Sequence, residues 1–299
     1  MASSSNTSVC HACNSGLKGW ISGFIGMIIF SGSLPATRVA VQSFDPFFLT
    51  FMRASIAGML ALLLIFALRQ SRPALSQLFS LFIVALGVVV GFPLLTALAL
   101  QHVSSAHSIV FIGLLPMSTA FFAVIRGGER PRRAFWFFST IGCLLVMGFA
   151  LAQSAAVSLT GDILMLAATL VCGLGYAEGA MLTRHLGGWQ VICWSLILSL
   201  PIMLLATVMT APMRFSPVQA SAWWALGYVS LFSMLIGFIF WYRGLAAGGI
   251  ASVGQLQLLQ PFFGLSFSAL LLHESINPSM LAVTAAVVGC LAAARKFGR

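Results

Sequence analysis

Hydrophobic residues occur in continuous runs of about twenty, separated by short polar connections. The runs cover residues 18–42, 46–68, 77–100, 105–126, 134–152, 161–183, 188–210, 222–243, 250–272 and 277–295. Their lengths are close to the roughly 20 residues that an α-helix needs to cross a bilayer. They lack the alternation of polar and apolar residues that is typical of barrel strands. The pattern predicts an all-α integral membrane protein with ten transmembrane helices.

The segment before the first run, residues 1–16, is small and polar. It lacks the basic start and the apolar core of a signal peptide. We expect it to be a disordered cytoplasmic tail.

Composition excludes the soluble class of protein. Hydrophobic residues make up 60% of the chain, charged residues only 7%, and the mean hydropathy is +1.04. An ordinary soluble domain has about 25% charged residues. The net charge of +10 does not indicate nucleic-acid binding here, because the basic residues cluster between the apolar runs, where they meet an anionic lipid surface.

The distribution of Lys and Arg over the two sides of the membrane predicts the orientation. If the N-terminus is inside, two basic residues, Arg38 and Arg214, lie outside. Twelve lie inside: Lys18, Arg69, Arg72, Arg126, Arg130, Arg132, Arg133, Arg184, Arg243, Arg295, Lys296 and Arg299. We therefore expect a multi-pass protein of the cell (inner) membrane with both termini in the cytoplasm.

The second half of the chain repeats features of the first half at a spacing of 145 residues. Pro116 recurs as Pro261 and Glu129 as Glu274. These matches predict two five-helix repeats, residues 17–153 and 154–299. Because five is odd, the repeats insert in opposite orientations. Inverted repeats are typical of secondary transporters, whose substrate site lies near the midplane between the halves.

Two stretches, residues 100–131 and 242–278, each contain a helix end, a small-residue link, an apolar span with a central proline and a closing glutamate. In addition, Asp45-Pro46 precedes Arg53 in the second span. With these motifs the chain resembles the ten-helix, EamA-like branch of the drug/metabolite transporter superfamily. Within it, the chain is most similar to the amino-acid exporter group of the YddG type. The resemblance implies export of aromatic and other neutral amino acids by alternating access.

Four prolines lie within predicted spans. A helical proline leaves the carbonyl four residues earlier without its donor, so each is either a simple kink or a helix break whose freed carbonyl binds a ligand. In the first span, Ser31 and Ser33 flank such a break, and we predict that they bind substrate. The four predicted helix breaks are Pro35, Pro93, Pro116 and Pro261.

Other polar residues fall at similar depth. Gln257 and Gln260 share a face of the ninth span, and Tyr176 lies on the sixth. Polar side chains inside a membrane face the bundle interior, either as links between helices or as cavity lining. Arg53 either binds a substrate carboxylate or pairs with Asp45. We predict that Gln257, Gln260, Tyr176 and Arg53 bind substrate.

Glu178 lies towards the inner end of the sixth span, on the same side as Arg184 and Arg243. We favour an ion pair that gates the inner side, with Glu178 and Arg243 as gating residues. Glu129 is expected to cap the helix that follows it, since helix N-termini stabilise carboxylates.

Trp241 and Tyr242, near the inner end of the eighth span, are expected to belong to an interfacial aromatic belt. The G-x-x-x-G pair of Gly87 and Gly91 allows close helix approach. We expect this packing to occur within the bundle of a monomer.

Alternative functions are an intramembrane enzyme and a carrier of drugs, lipophilic cations or nucleotide sugars. The enzyme reading lacks a motif: His273-Glu274 has no second His at the spacing of a zinc protease site. Cys10 and Cys13 supply only two of the four ligands of a structural zinc site. We predict no cofactor and no metal. The expected partners are a small-molecule substrate and the lipid bilayer, and no nucleic acid.

Overall fold

The computed structural model describes residues 5–103, 108, 111–152, 158–212, 218–260, 262–264, 266–267 and 278–297. These residues are almost entirely helical. The predicted break at Pro261 and the repeat partner Glu274 lie outside the described residues.

Thirteen α-helices are described. They are α1 Ser5–Ser31, α2 Ser33–Ala40, α3 Pro46–Ala67, α4 Leu75–Val84, α5 Phe92–His102, α6 Leu115–Ile125, α7 Arg133–Ala152, α8 Leu159–Leu186, α9 Gly188–Thr210, α10 Ala220–Tyr228, α11 Gly237–Gly248, α12 Ile250–Gly254 and α13 Pro278–Phe297. A wider, π-helical segment, Ala85–Gly91, joins α4 to α5, and a second, Val229–Ile236, joins α10 to α11. A 3₁₀ segment, Gln255–Leu259, follows α12.

Six helical stretches of the described chain are long and apolar enough to cross a membrane. They are Gly16–Ala40, Pro46–Ala67, Leu75–His102, Leu159–Leu186, Gly188–Thr210 and Ala220–Gly248. Three shorter apolar helices, Leu115–Ile125, Arg133–Phe149 and Ala282–Ala294, accompany them. An all-helical membrane fold is therefore supported, whereas the number ten stays a prediction.

The beginning of α1 differs from the expected disordered tail, because the helix starts at Ser5 rather than after residue 16. No proline lies between residues 5 and 16 to end the helix. Three of the predicted breaks lie in the first turn of a helical segment, where a missing N–H removes no intrahelical bond. They are Pro35 in α2, Pro93 in α5 and Pro116 in α6.

Helix boundaries recur at the spacing found in the sequence. Leu75–His102 and Ala220–Gly248 begin 145 residues apart, and each contains one π-helical segment at the same distance from its start. Gly16–Ala40 and Leu159–Leu186 correspond in the same way. Two similar halves thus fit the described helices.

Glycines allow close helix packing at matching places in the two halves. A methyl group on Gly19 would lie 2.6 Å from the backbone nitrogen of Gly248, where α1 packs on α11. A methyl group on Gly87 would lie 2.6 Å from the carbonyl oxygen of Val171, where the first π-helical segment packs on α8. These contacts lie within the bundle, as expected for Gly87.

The two ends of the bundle differ in charge. One end carries residues 68–74 and 126–132 and the starts of α9 and α12, and we call it the basic end. It is joined by a hydrogen bond of 2.6 Å between the side chains of Gln70 and Gln190. The other end, which we call the distal end, carries residues 41–45 between α2 and α3. It includes the contact of Phe44 with Trp223, whose ring centroids are 5.0 Å apart.

Candidate functional site

A cavity lies between helices of both halves and encloses about 550 Å³ of empty space, including the part open to the outside. Its polar lining residues lie between the middle of the bundle and the distal end. The lining consists of Phe30, Ser33, Leu34, Thr37, Arg53, Val88, Phe92, Pro93, Thr96, Leu115, Tyr176, Ser233, Phe238 and Gln260.

A change of helix at Gly32 brings Ser33 and Thr37 to this cavity. Gly32 separates α1 from α2, and the Tyr228 hydroxyl donates to the Ile29 carbonyl beside this point at 2.7 Å. Opposite them, the second π-helical segment carries Ser233. π-Helical turns are frequent at functional sites, and here one contributes a hydroxyl group to the cavity wall.

Arg53 is the charged residue of the lining. It belongs to the second turn of α3, and its side chain is only 6% exposed. Its Nη2 lies 3.4 Å from the Ser233 hydroxyl, and its Nε has no hydrogen-bond partner among the described residues. Asp45 does not pair with it, because the Asp45 carboxylate caps α3 by accepting from the backbone N–H groups of Phe47 and Phe48.

Hydroxyl groups surround this guanidinium group. The hydroxyls of Ser33 and Ser233 are 2.7 Å apart and share one hydrogen bond. Thr96 donates to the Phe92 carbonyl of its own helix. The two serines can reorient to donate to an anion, because a hydroxyl is both donor and acceptor.

Three aromatic rings form the base of the cavity. Phe30 and Tyr176 are stacked with centroids 6.5 Å apart, and Phe238 lies 4.9 Å from Phe30 and 5.9 Å from Tyr176. Trp241 lies behind them, 5.5 Å from Tyr176. Both Trp241 and Tyr242 are fully buried, so their expected place in an interfacial belt is wrong. They pack against α8 inside the bundle rather than at its surface.

The structure brings four of the six predicted binding residues to the cavity: Ser33, Arg53, Tyr176 and Gln260. Ser31 is buried outside the lining, and its hydroxyl donates to the Met27 carbonyl of the same helix at 2.9 Å. Gln257 is also buried outside the lining and lies against the Tyr176 hydroxyl, although neither atom of its amide makes a hydrogen bond within 3.5 Å.

The closed side of the aromatic base contains an ion pair whose partner differs from the expected one. Arg126 Nε and Nη2 donate to the two oxygens of Glu178 at 2.9 and 3.1 Å, and Ser80 Oγ donates to Oε1 at 2.6 Å. Glu178 is buried, whereas Arg126 is half-exposed. Arg243 is exposed on α11 and is not the partner. The ion pair joins the end of α6 to α8, because these helices pack together at the basic end.

Glu129 forms a second connection at the basic end. Its carboxylate accepts from the backbone N–H groups of Ile250 and Ala251 at 2.7 and 2.9 Å, and Arg184 lies 3.7 Å away. It therefore caps α12 rather than the helix that follows it in sequence. Exposed N–H groups at a helix start stabilise a carboxylate wherever the fold brings the two together.

Metal-binding chemistry is not represented in the part of the chain that the structure describes. Groups of three or more His, Cys, Asp and Glu side chains suited to a metal ion do not occur among those residues. The lining combines one cation, several hydroxyl and amide groups and aromatic rings. Such a set suits a small organic molecule with an anionic group.

Comparisons with known proteins agree with this architecture. The model of the EamA-like transporter family matches the chain twice, over residues 17–151 and 159–294. The uncharacterized transporter YdeK of Bacillus subtilis (strain 168) is 63% identical over 288 residues, which cover 96% of this chain and 100% of that protein.

Two further likenesses are more distant. An S-adenosylmethionine/S-adenosylhomocysteine transporter of Chlamydia trachomatis serovar L2 is 25% identical over 89% of this chain and 86% of its own length. A solved crystal structure superposes with a TM-score of 0.74 at 18% identity, over 92% of this chain and 97% of that chain. This last likeness concerns the fold alone.

Proposed function

The chain belongs to the EamA-like transporter family, and from that premise we propose that it exports neutral amino acids, aromatic ones among them. As a member it is a membrane transporter of small molecules. The proposal adds the substrate class, the direction and the cell membrane as its location. It further holds that ten helices in two inverted repeats, 17–153 and 154–299, alternate access to the cavity.

One observation carries the substrate class: a buried arginine without a counter-ion lines the cavity. Arg53 is 6% exposed and makes one long hydrogen bond, to Ser233. A buried charge without a partner is costly. A substrate carboxylate would supply that partner, and the bidentate guanidinium geometry favours a carboxylate over a neutral group.

The remaining lining suits the other parts of an amino acid. The Gln260 side-chain oxygen has no hydrogen-bond partner and is available to accept from an ammonium group. Phe30, Tyr176 and Phe238 offer ring faces to an apolar or aromatic side chain, which supports neutral substrates with large side chains.

The other carriers considered from the sequence fit this lining less well. A lipophilic cation would be repelled by Arg53 and would find no carboxylate among the described lining residues. A nucleotide sugar carries more negative charge than a single arginine balances. An S-adenosyl amino acid shares the amino-acid head group, and the likeness to the Chlamydia transporter makes it the second candidate.

Transport by proteoliposomes tests the proposal. Vesicles containing the purified chain and preloaded with unlabelled phenylalanine should take up radiolabelled phenylalanine and leucine by counterflow, and empty vesicles should not. Parallel assays use S-adenosylmethionine and tetraphenylphosphonium. Counterflow of tetraphenylphosphonium alone would contradict the proposal, and counterflow of S-adenosylmethionine alone would establish the second candidate.

Cysteine labelling tests the proposed orientation, which rests on the excess of basic residues at one end. In a background without native cysteines, Ser43→Cys at the distal end should react with an impermeant thiol reagent added to intact cells. Gly128→Cys at the basic end should react only after the membrane is opened. The reverse pattern would place the termini outside.

A further inference from the structure

The cavity straddles an axis that relates the two halves. Three of its lining pairs are 145 residues apart in sequence: Val88 with Ser233, Pro93 with Phe238, and Leu115 with Gln260. The first pair lies on the two π-helical segments, which themselves recur at this spacing. These six residues thus occupy equivalent positions in the two halves, at the middle of the bundle.

Lining residues towards the distal end have their counterparts in the closed half. Residues 145 positions after Ser33 and Thr37 are Glu178 and Leu182. Neither counterpart lines the cavity, and both are buried at the basic side of the aromatic base. Each half of the molecule therefore contributes an equivalent set, of which one is open and the other is packed away.

Unpartnered polar atoms lie in this packed region. The indole nitrogen of Trp241, the counterpart of Thr96, is fully buried and has no hydrogen-bond partner. The amide of Gln257 is equally buried and also unpartnered. Both side chains lie against Tyr176. Buried polar groups are seldom left unpaired, and these would gain partners if this region opened to water or ligand.

We infer that Glu178 lines the substrate site in the state that opens towards the basic end, in the position that Ser33 holds in the present state. In the present state Arg126 and Ser80 bind its carboxylate. Separation of α6 from α8 removes Arg126, and the same motion exposes Leu182, one turn further along α8. Arg53 is then the charge offered to substrate in one state and Glu178 the charge offered in the other.

The chemistry of this second site follows from the carboxylate. Resting on the proposed function, the inference assigns Glu178 to the ammonium group of the amino acid. A carboxylate that loses Arg126 in a mostly apolar region needs another cation, and the substrate supplies it. The ammonium group would thus contribute little to binding from the distal side and much to binding from the basic side.

Labelling of cysteines tests the position of Glu178 without any substrate. In a background without native cysteines, Thr37→Cys should react with a small water-soluble thiol reagent and Leu182→Cys should not. Adding Arg126→Gln should raise the labelling rate at Leu182→Cys about tenfold and lower it at Thr37→Cys. Leu170→Cys, which is on the exposed surface of α8, is the control and should stay unlabelled.

The two positions have to change in opposite directions. If Leu182→Cys stays protected, the closed side does not open along α8 and the inference is overturned. If Leu182→Cys becomes reactive while Thr37→Cys is unchanged, Arg126→Gln has only loosened the packing, and the inference is overturned as well.

Competition by analogues tests the role of the carboxylate. Phenethylamine, which lacks the carboxylate of phenylalanine, should inhibit phenylalanine counterflow when added at the basic side. Glu178→Gln should weaken this inhibition at least tenfold, whereas Arg126→Gln, which breaks the same ion pair, should leave it intact. Equal behaviour of the two variants would overturn the inference. A wild-type protein without amino-acid counterflow would instead refute the proposed function, and the labelling result would still decide the position of Glu178.

Discussion

The two sides of the aromatic base contain buried charges that are used differently. On the distal side, Arg53 lines a cavity and has no ionic partner among the described residues. On the basic side, Glu178 is bound by Arg126 and Ser80 in packed surroundings. A charge left unpaired is available to a ligand, whereas a charge that is already paired holds helices together.

The difference has a physical basis in the cost of burying charge. A buried charge that loses its partner destabilises the structure by several kcal/mol, so Glu178 resists separation from Arg126 until a replacement is present. Arg53 already bears part of such a cost, which substrate binding relieves. In our account the free energy of substrate binding therefore comes mainly from the distal side in the state described.

The largest effect is expected for removal of the free cation. Arg53→Gln should raise the phenylalanine concentration needed for half-maximal counterflow roughly 10- to 100-fold, because a hydrogen bond to a charged group contributes about 1.5–3 kcal/mol. Arg38→Gln, an exposed cation at the same end of the bundle, is the matched control and should have no effect. Equal effects of both would mean that Arg53 acts only through overall charge.

Breaking the paired charge should change conformation more than affinity. Glu178→Gln should shift the equilibrium towards the state open at the basic end by about tenfold, since one charged hydrogen-bonded pair is lost. Affinity measured from the distal side in a conformationally locked protein should remain nearly unchanged. The shift is measured by thiol labelling at Leu182→Cys.

Arg243 provides the control for this shift. It is the gating residue expected from sequence, but it is exposed and does not contact Glu178. Arg243→Gln should leave the labelling unchanged. If it shifts the equilibrium as much as Glu178→Gln, the Arg126 contact is not the closure. Loss of proton-coupled flux in Glu178→Gln with intact counterflow would instead identify Glu178 as a proton carrier.

Neutral groups on the cavity wall should matter less than either charge. Tyr176→Ala and Gln260→Ala should each raise the half-saturating phenylalanine concentration by a few-fold to about tenfold, for a loss of roughly 1 kcal/mol. Tyr176→Phe should retain most of the affinity, because the ring face is what the cavity presents. If Tyr176→Phe were as weak as Tyr176→Ala, the hydroxyl would be the binding group.

The smallest difference is expected between two neighbouring serines. Ser33→Ala should weaken phenylalanine binding about two- to fivefold, because its hydroxyl lies beside Arg53 through Ser233. Ser31→Ala should change it less than about twofold, because that hydroxyl bonds within its own helix. Titration of binding to the purified variants measures both, and the opposite order would show that the lining extends to Ser31.

Sequence reasoning located the residues whose polarity is anomalous in an apolar span. Arg53, Gln260 and Tyr176 were found in this way, because a polar group in hydrocarbon must face the interior. Periodicity does not distinguish lining from deeper burial, so Gln257 was grouped with Gln260 although only Gln260 reaches the cavity.

Contacts between distant segments were beyond the reach of sequence. Glu178 and Arg126 are 52 residues apart, and their pairing depends on how α6 packs on α8. Phe30 and Phe238 were missed because the chain contains 25 phenylalanines and nothing local separates these two from the lipid-facing ones. Ser233 had a usable signal, namely its place 145 residues after Val88 in the repeat.

A four-way comparison of binding tests the central claim, that the free guanidinium group of Arg53 binds the substrate carboxylate. The affinities of phenylalanine and phenethylamine are measured for the wild-type protein and for Arg53→Gln. The account predicts that loss of the carboxylate weakens binding to the wild-type protein at least tenfold and hardly affects binding to the variant, because the two changes remove the same interaction. If the carboxylate contributes equally to both proteins, Arg53 does not bind it and the account is contradicted.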